Sequence, residues 1–259
     1  MCKILKIARS TLYYQEKVKK DETEIEKEVV KAFYASRRNF GTRKLKRELA
    51  KKKYKVSRRK IGKIMKKWGL ESKWHKRQSK VKRSRVNEDK VENKVNREFN
   101  DRAKYEVVVS DLTYVQIGKT WYYLCLLLDL CGRKIIGSAV GQKKDAKLVE
   151  TAFYSVQSDL RRIQVFHTDR GSEFKNAVIE NILEAFGIER SLSPKGSPID
   201  NAVAESMYNI IKTEFIFDET FDNIEHFKLM WFDYANWYNN VRIHGSLDYK
   251  TPNEWHNLA

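Results

Sequence analysis

The 259-residue sequence is short of the residues that staple, kink or loosen a chain, with 3 cysteines, 3 prolines and 11 glycines. Cys2, Cys125 and Cys131 form an odd set without a CxxC pair, which excludes a disulfide framework and a zinc finger and fits a reducing compartment. With 41% hydrophobic and 33% charged residues, collagen-like, repetitive and disorder-dominated chains are excluded as well. Long apolar runs are missing. The longest, Trp121 to Leu128, has eight residues, far below the ~20 that cross a bilayer as a helix. The start, MCKILKIARS, has no signal-peptide core. The expectation is a globular, cytoplasmic protein with no membrane partner, built as one mid-sized catalytic domain plus a smaller module.

Acidic residues are scarce at one end only. Residues 1–100 hold 34 Lys and Arg against 12 Asp and Glu, whereas residues 101–259 hold 18 against 22. The net +18 therefore belongs to the first hundred residues, and a polyanion engaged there is the direct electrostatic reading, since lysine and arginine displace the counterions of phosphates. A solvated basic face kept for solubility is the weaker alternative.

Apolar spacing predicts a helix over residues 21–36, capped by Asp21 and carrying Ile25, Val29, Ala32 and Phe33 on one stripe. A second helix starts at Thr42 as cap and carries Leu45 and Leu49, and a third starts at Ser57 and ends at Gly69. In the third, Ile61, Ile64, Met65 and Trp68 make a core stripe, while Arg58, Arg59, Lys60, Lys63, Lys66 and Lys67 fill the other faces. Two short helices across a tight turn, the second densely basic, suggest a helix-turn-helix within a helical module over residues 1–74. Residues 75–98 lose all periodicity and read as a basic linker. Beyond them YEVVVSDLTYV, WYYLCLLLDL and RKIIGSAV are three hairpin-joined strands. A helix over 145–158, the strand IQVFHTD, a helix over 176–186, the short strand IERSLS and a helix over 198–215 follow. This order is a mixed α/β sheet over residues 99–220, and the aromatic stretch 221–238 opens a helical extension, residues 221–259, packed on that core.

Three acids sit where strands or helices meet loops. Asp111 follows VVVS in a strand, Asp169 follows the strand ending at Phe166, and Glu205 lies on the helix opened by SPID. Clustered carboxylates repel and call for a cation, and hard oxygen donors suit Mg2+ or Mn2+. On the Glu205 helix, Val203, Met207, Ile210 and Ile211 form an apolar face, while Asn201, Glu205 and Lys212 share the opposite one. Ser197, Pro198 and Asp200 supply the cap. Taken alone, that polar stripe reads as a solvated face.

Between Asp111 and Asp169 lie 57 residues, and between Asp169 and Glu205 lie 35, with Lys212 seven beyond. With the strings SDLTY (110–114), YLCLLLDLCGRKIIG (123–137), HTDRGSEF (167–174), LSPKGSPIDNAVAESMYNIIKTE (192–214) and YNNVRIHGSLDYKTPNEW (238–255), this spacing resembles the integrase-superfamily DDE transposases, and most closely the second-frame product of IS-three family insertion sequences. Residues 40–70 resemble the helix-turn-helix that family carries before its core, so the likeness spans roughly residues 5–256. Val109, Pro198 and Ile199 depart from the family's usual residues without touching an expected metal ligand.

The resemblance implies a ribonuclease-H-like catalytic core and a metal-dependent DNA transposase that cleaves and joins strands. Asp111, Asp169 and Glu205 would be the catalytic acids and hold two Mg2+ or Mn2+ ions. Lys212 and Arg170 would contact phosphate, a structural ion pair being the other reading of Arg170, and Arg58, Arg59, Lys60 and Lys63 would contact DNA. It further implies element ends and target DNA as partners, a homo-oligomer in a synaptic complex, an upstream-frame fusion or partner protein, and a bacterial, nucleoid-associated location. A nuclease of the same fold that only hydrolyses and a DNA-binding regulator are the alternatives. Asp129 reads as local support, His167 as a packed histidine, His244 as a surface histidine and Glu173 as a further acid near the cleft that is not counted among the ligands.

Overall fold

In the computed structural model, which describes residue 8 and residues 22–75, 102–193 and 202–259, the chain falls into two units, Met1–Glu71 and Ser72–Ala259. Asp21, the linker beyond His75, and the Ser197, Pro198 and Asp200 cap lie outside the described residues.

The first unit holds α1 (Glu22–Ala35), α2 (Thr42–Lys51) and α3 (Arg58–Lys67). Val29 and Phe33 of α1, Leu45 and Leu49 of α2, and Ile61, Ile64 and Met65 of α3 are buried together with Phe40 and Leu70. The stripe expected on α3 is therefore core, except that Trp68 is 52% exposed. It closes the helix as C-cap, and its indole donates to Glu26 at 3.1 Å. Thr42 is the first helical residue rather than the cap; Gly41 takes that place without a side-chain bond. Ser57 does cap α3, its Oγ accepting from the Lys60 amide at 3.2 Å. Ser57→Ala is expected to lower stability by about 1 kcal/mol, read as a shifted urea midpoint of the full chain, and an unmoved midpoint would show the cap to be idle. The acids of α1 serve the basic elements beside them. Glu28 takes Lys52 at 2.6 Å, Glu24 takes the Tyr54 hydroxyl at 2.7 Å, and Glu26 takes Lys67 at 2.8 Å.

In the second unit β1 (Val107–Ile117), β2 (Thr120–Asp129) and β3 (Lys134–Gly141) form the expected antiparallel meander, and β4 (Val165–Thr168) and β5 (Glu189–Leu192) join it in parallel. The order is β3-β2-β1-β4-β5. One layer on the sheet comes from α4 (Ala146–Tyr154) and α5 (Ala177–Phe186), where Val149, Phe153, Phe174 and Ile179 pack with Val108, Cys125, Leu127 and Phe166 of the strands. The long apolar strand residues are thus buried by helices, as parallel strand pairing requires. Gly137 lets α4 lie directly on β3, since a β-carbon there would stand 2.7 Å from the Ala152 carbonyl.

Helix α4 stops at Tyr154, with Ser155 as its C-cap, four residues before the expected end. The helix expected over 198–215 is described as α6 (Ala202–Ile211), and it runs into a wide π turn, Lys212–Ile216. Then come α7 (Ile224–Asn240), capped by Asn223, and α8 (Pro252–Leu258), opened by a Thr251–Glu254 capping box. Phe215 of the π turn stacks on Tyr234 of α7 with ring centres 4.9 Å apart. The free edge of β3 is covered by α7. Asn239 accepts from the Ile135 amide at 3.1 Å and donates to the Ile135 carbonyl at 2.8 Å, and the Trp231 indole donates to Ser138 Oγ at 2.9 Å. The buried aromatics of this tail, Phe227, Trp231, Tyr234, Trp237 and Tyr238, are therefore core, packed against the sheet and the π turn that follows the helix of Glu205.

Candidate active site

Strand register brings the first two acids together. β1 and β4 pair in parallel with Val107 opposite Val165, Val108 opposite Phe166 and Val109 opposite His167. Continuing that offset two residues past the ladder puts Asp111 opposite Asp169, on neighbouring strands about 4.8 Å apart. The 57-residue interval noted in the sequence is this register. Asp111 Oδ1 accepts from the Leu112 amide at 2.7 Å, and Asp169 Oδ1 from the Gly171 amide at 2.9 Å. Those two bonds do not offset the crowding. Close packing by protein atoms, followed by the charge of Asp169, pushes Asp111 up to about 7. Burial likewise raises Asp169. Neither acid is comfortable as an anion beside the other.

Two further charges join the pair. Glu173, four residues past Asp169, is 3% exposed, and its carboxylate folds back against Gly171, where a β-carbon would collide with it. The acid near the cleft in the sequence lies beside the pair because the turn after β4 folds the chain back on itself. Lys144, just before the Asp145 cap of α4, reaches Glu173 Oε1 at 2.9 Å. Burial pulls Lys144 down, but its bond to Glu173 and the charges of Glu173, Asp169 and Asp111 outweigh that, and its pKa is raised. Lys144 was missed in the sequence, since it stands in a run of polar loop residues at no diagnostic spacing.

Glu205 is exposed on α6, and among the described residues no three His, Cys, Asp or Glu side chains converge as a metal-binding group. Its helix is nonetheless tied to the strand of Asp111, since the Tyr208 hydroxyl donates to the Asp111 carbonyl oxygen. Burial holds the Tyr208 phenol well above its usual range, so it stays a donor. The packed face of α6 is Met207, Tyr208 and Ile211, displaced from the face expected around Val203 and Ile210. At 100° per residue Glu205 lies ~60° from Tyr208, on the flank of the packed face rather than opposite it.

Lys212 begins the π turn, so the straight-helix alignment with Glu205 ends there, and its Nζ lies 5.3 Å above the ring of Tyr114, three residues along β1 from Asp111. Arg170 donates from Nε to the Ser193 carbonyl at 3.0 Å. On α3, Arg58, Arg59 and Lys63 are exposed and Lys60 is half-buried. Arg59, Lys60 and Lys63 line a cavity of about 680 Å3 with Ser57 and Lys67.

His167, His244, His256 and Asp129 serve structural contacts. His167 is buried between Ser191 Oγ at 2.9 Å and Ser193 Oγ at 3.0 Å, joining β4 to β5. Asp129 accepts from the Tyr105 and Cys131 amides and from His256. His244 is not on the surface: it is 4% exposed and lies against Arg242.

A five-strand mixed sheet carrying paired aspartates, one within β1 and one just past β4, places the protein among the integrase-type polynucleotidyl transferases. The chain matches the Integrase core domain families over residues 101–198 and 186–252, and the HTH-like domain family over residues 19–78. It is 29% identical over 238 residues to the transposase for insertion sequence element IS904 of Lactococcus lactis, covering 90% of this chain and 94% of that protein. It is 27% identical to the putative transposase InsK for insertion sequence element IS150 of Escherichia coli, covering 97% and 90%. In fold it resembles a chain of the simian T-cell lymphotropic virus intasome solved with PP2A regulatory subunit B56 gamma, with a TM-score of 0.51, 14% identity, and coverage of 66% of this chain and 60% of that one. The chain belongs to the integrase core family, with an HTH-like domain before that core, and its curated relatives are transposases of IS3-type insertion sequences. It is a DDE-type DNA transposase.

Membership in the integrase core family implies a divalent metal, and the donors fit one. Asp111 and Asp169 are hard carboxylate donors set side by side, and Glu173, held by Lys144, adds its charge next to them, although the three do not close into a metal-binding group among the described residues.

Proposed function

We propose that the chain cuts and rejoins DNA at element ends with Asp111, Asp169 and Glu205 as its catalytic acids, holding two Mg2+ or Mn2+ ions. The observation that carries this reading is the register of β1 and β4, which sets the two aspartates side by side. Asp111, Asp169 and Glu205 would hold the divalent metal, which would supply activation of a water or a 3′-hydroxyl and stabilisation of the leaving 3′-oxygen in an in-line displacement. The protein's part is positioning. Rigid strands present Asp111 and Asp169, Tyr208 seats the helix of Glu205 against the first of them, and Lys212 and Arg170 hold phosphates flanking the scissile bond.

Residues 1–74 serve as the DNA-binding module, with Arg58, Arg59, Lys60 and Lys63 on backbone phosphates, and residues 75–98 link it to the core, 99–220, and its extension, 221–259. Joining two ends calls for a homo-oligomer in a synaptic complex, and an upstream reading frame supplies a fusion or partner. The setting is the bacterial cytoplasm, on the nucleoid. No helix among the described residues is long and apolar enough to cross a membrane.

A pre-nicked terminal oligonucleotide incubated with the protein and Mg2+ tests the reaction. Strand joining is the expected result, and cleavage without joining would replace this reading with a hydrolytic nuclease.

A further inference from the structure

The most heavily bonded buried charge among the described residues of the second unit lies outside the acid site. Glu214, in the π turn that ends α6, is 1% exposed. Its carboxylate is gripped at both oxygens by Arg242, through Nε to Oε2 and Nη2 to Oε1, each at 2.7 Å. The Trp74 indole donates to Oε1 at 2.9 Å and the Tyr234 hydroxyl to Oε2 at 3.4 Å. Lys73, itself buried, donates to the Glu214 carbonyl at 2.9 Å. Arg242 belongs to the string YNNVRIH and is braced by His244 at 2.9 Å and by the ring of Tyr238 at 5.5 Å. No step of the strand-transfer reaction uses any of these groups.

Their common effect is mechanical. Helix α6 is tied to the catalytic strand through Tyr208 on the Asp111 carbonyl, and a single point of that kind leaves a helix free to pivot. The second fixed point is Glu214, nine residues after Glu205. A bidentate arginine sets the orientation of a carboxylate as well as its distance, so the end of the helix is locked in both. The wide turn is what aims Glu214 inward. Thr213, Glu214 and Phe215 are consecutive and all buried, which a regular helix packed along a single stripe does not permit.

We infer that Glu214, clamped by Arg242, Trp74 and Tyr234, is a positioning residue that sets the helix carrying Glu205 relative to Asp111. The inference rests on the reading of Glu205 as a catalytic acid. It also explains what the YNNVRIH string does, since through Arg242 the C-terminal extension aligns the active site from behind. Groups that orient metal ligands without touching the metal typically change metal affinity or activity by about 10- to 100-fold when removed.

The test uses the full-length chain. Glu214→Gln keeps the shape and removes the charge. It is expected to weaken Mn2+ binding in calorimetry by about 10-fold and to lower turnover at saturating DNA with KM for DNA unchanged. Amide exchange over residues 202–211 should speed up, and Arg242→Lys, which keeps the charge but loses the two-point grip, should show a smaller loss than Glu214→Gln. Trp74→Phe, which removes one donor and leaves the ion pair intact, should move Mn2+ affinity the same way to a smaller extent, and it stands in if Glu214→Gln does not fold. A folded Glu214→Gln protein, or failing that Trp74→Phe, with unshifted Mn2+ affinity and unchanged exchange overturns the inference. Glu205→Gln run alongside separates the two readings. If it binds Mn2+ and joins strands normally, the assignment of Glu205 fails; if it loses both while the Glu214 and Trp74 variants lose neither, only the positioning role fails.

Discussion

Asp169→Asn is expected to abolish strand transfer, by at least about three orders of magnitude or ~4 kcal/mol of transition-state stabilisation, while DNA binding through the basic helices is kept. The same change should make the metal-free protein more stable. Asp111 and Asp169 are opposite each other on adjacent strands and each is held above the usual carboxylate range, so removing one charge relieves the other. Unfolded, Asp111 ionises near the ordinary value of about 3.9; folded, near 7. Between those values the native state keeps a proton that the unfolded chain has lost, so stability in a chelating buffer should fall as pH rises from about 4 to 7 and level off above. At a half-buried site this amounts to about 1–3 kcal/mol. Asp111→Asn should flatten the slope. Retained strand transfer in Asp169→Asn would remove the acid from the mechanism, and a slope unchanged in Asp111→Asn would mean that the pair does not repel as its geometry requires.

The second large effect concerns stability. Arg242→Ala strands the Glu214 carboxylate, whose side chain has no exposure, among Trp74, Tyr234 and apolar rings. Removing one partner of a buried ion pair costs about 3–5 kcal/mol, which in a unit of this size lowers the melting temperature by roughly 10 °C. Replacing both partners with apolar residues, Glu214→Leu with Arg242→Met, should be milder than the single change, because no charge is left uncompensated. Calorimetric melting of the three proteins decides. A double variant that melts below Arg242→Ala would show that the pair stabilises the fold outright.

The sheet, the helix order and the basic module were legible in the sequence because each rests on local pattern: alternating or continuous apolar runs for the strands, stripes at helical spacing, and Ser57 as a cap. Asp111 and Asp169 were found because they close apolar runs that had to be neighbouring strands. The misses have a common cause. Lys144 reaches the acids from a turn, where side-chain direction depends on backbone angles that no periodicity encodes. Thr42 as a cap and Trp68 as core failed by one residue or one turn at helix ends, where fraying and capping compete. His244 was placed at the surface because polar character alone was considered, whereas a buried arginine salt bridge gives a histidine a polar partner inside. The π turn also escaped. A straight-helix wheel assigns Lys212 to the face of Glu205 and cannot register a turn that widens at Lys212.

The pairing of β1 with β4 bears on how the spacing of the two aspartates should be understood. The chain between them leaves through β1, folds into a hairpin, an edge strand and a helix, and returns through β4 in a fixed alignment. Within that detour β2 pairs with β1, Phe153 of α4 packs on Phe166 of β4 and Lys144 reaches Glu173, but none of these contacts sets how many residues its turns contain. Its length is free to drift by additions at the turn around Gly118 or in the loop between α4 and β4, provided the return is in step. Slipping β4 by a single residue, in contrast, would turn Asp169 to the opposite side of the sheet. For relatives of this protein, the hydrogen-bond ladder identifies the second aspartate more securely than the number of residues that separate it from the first.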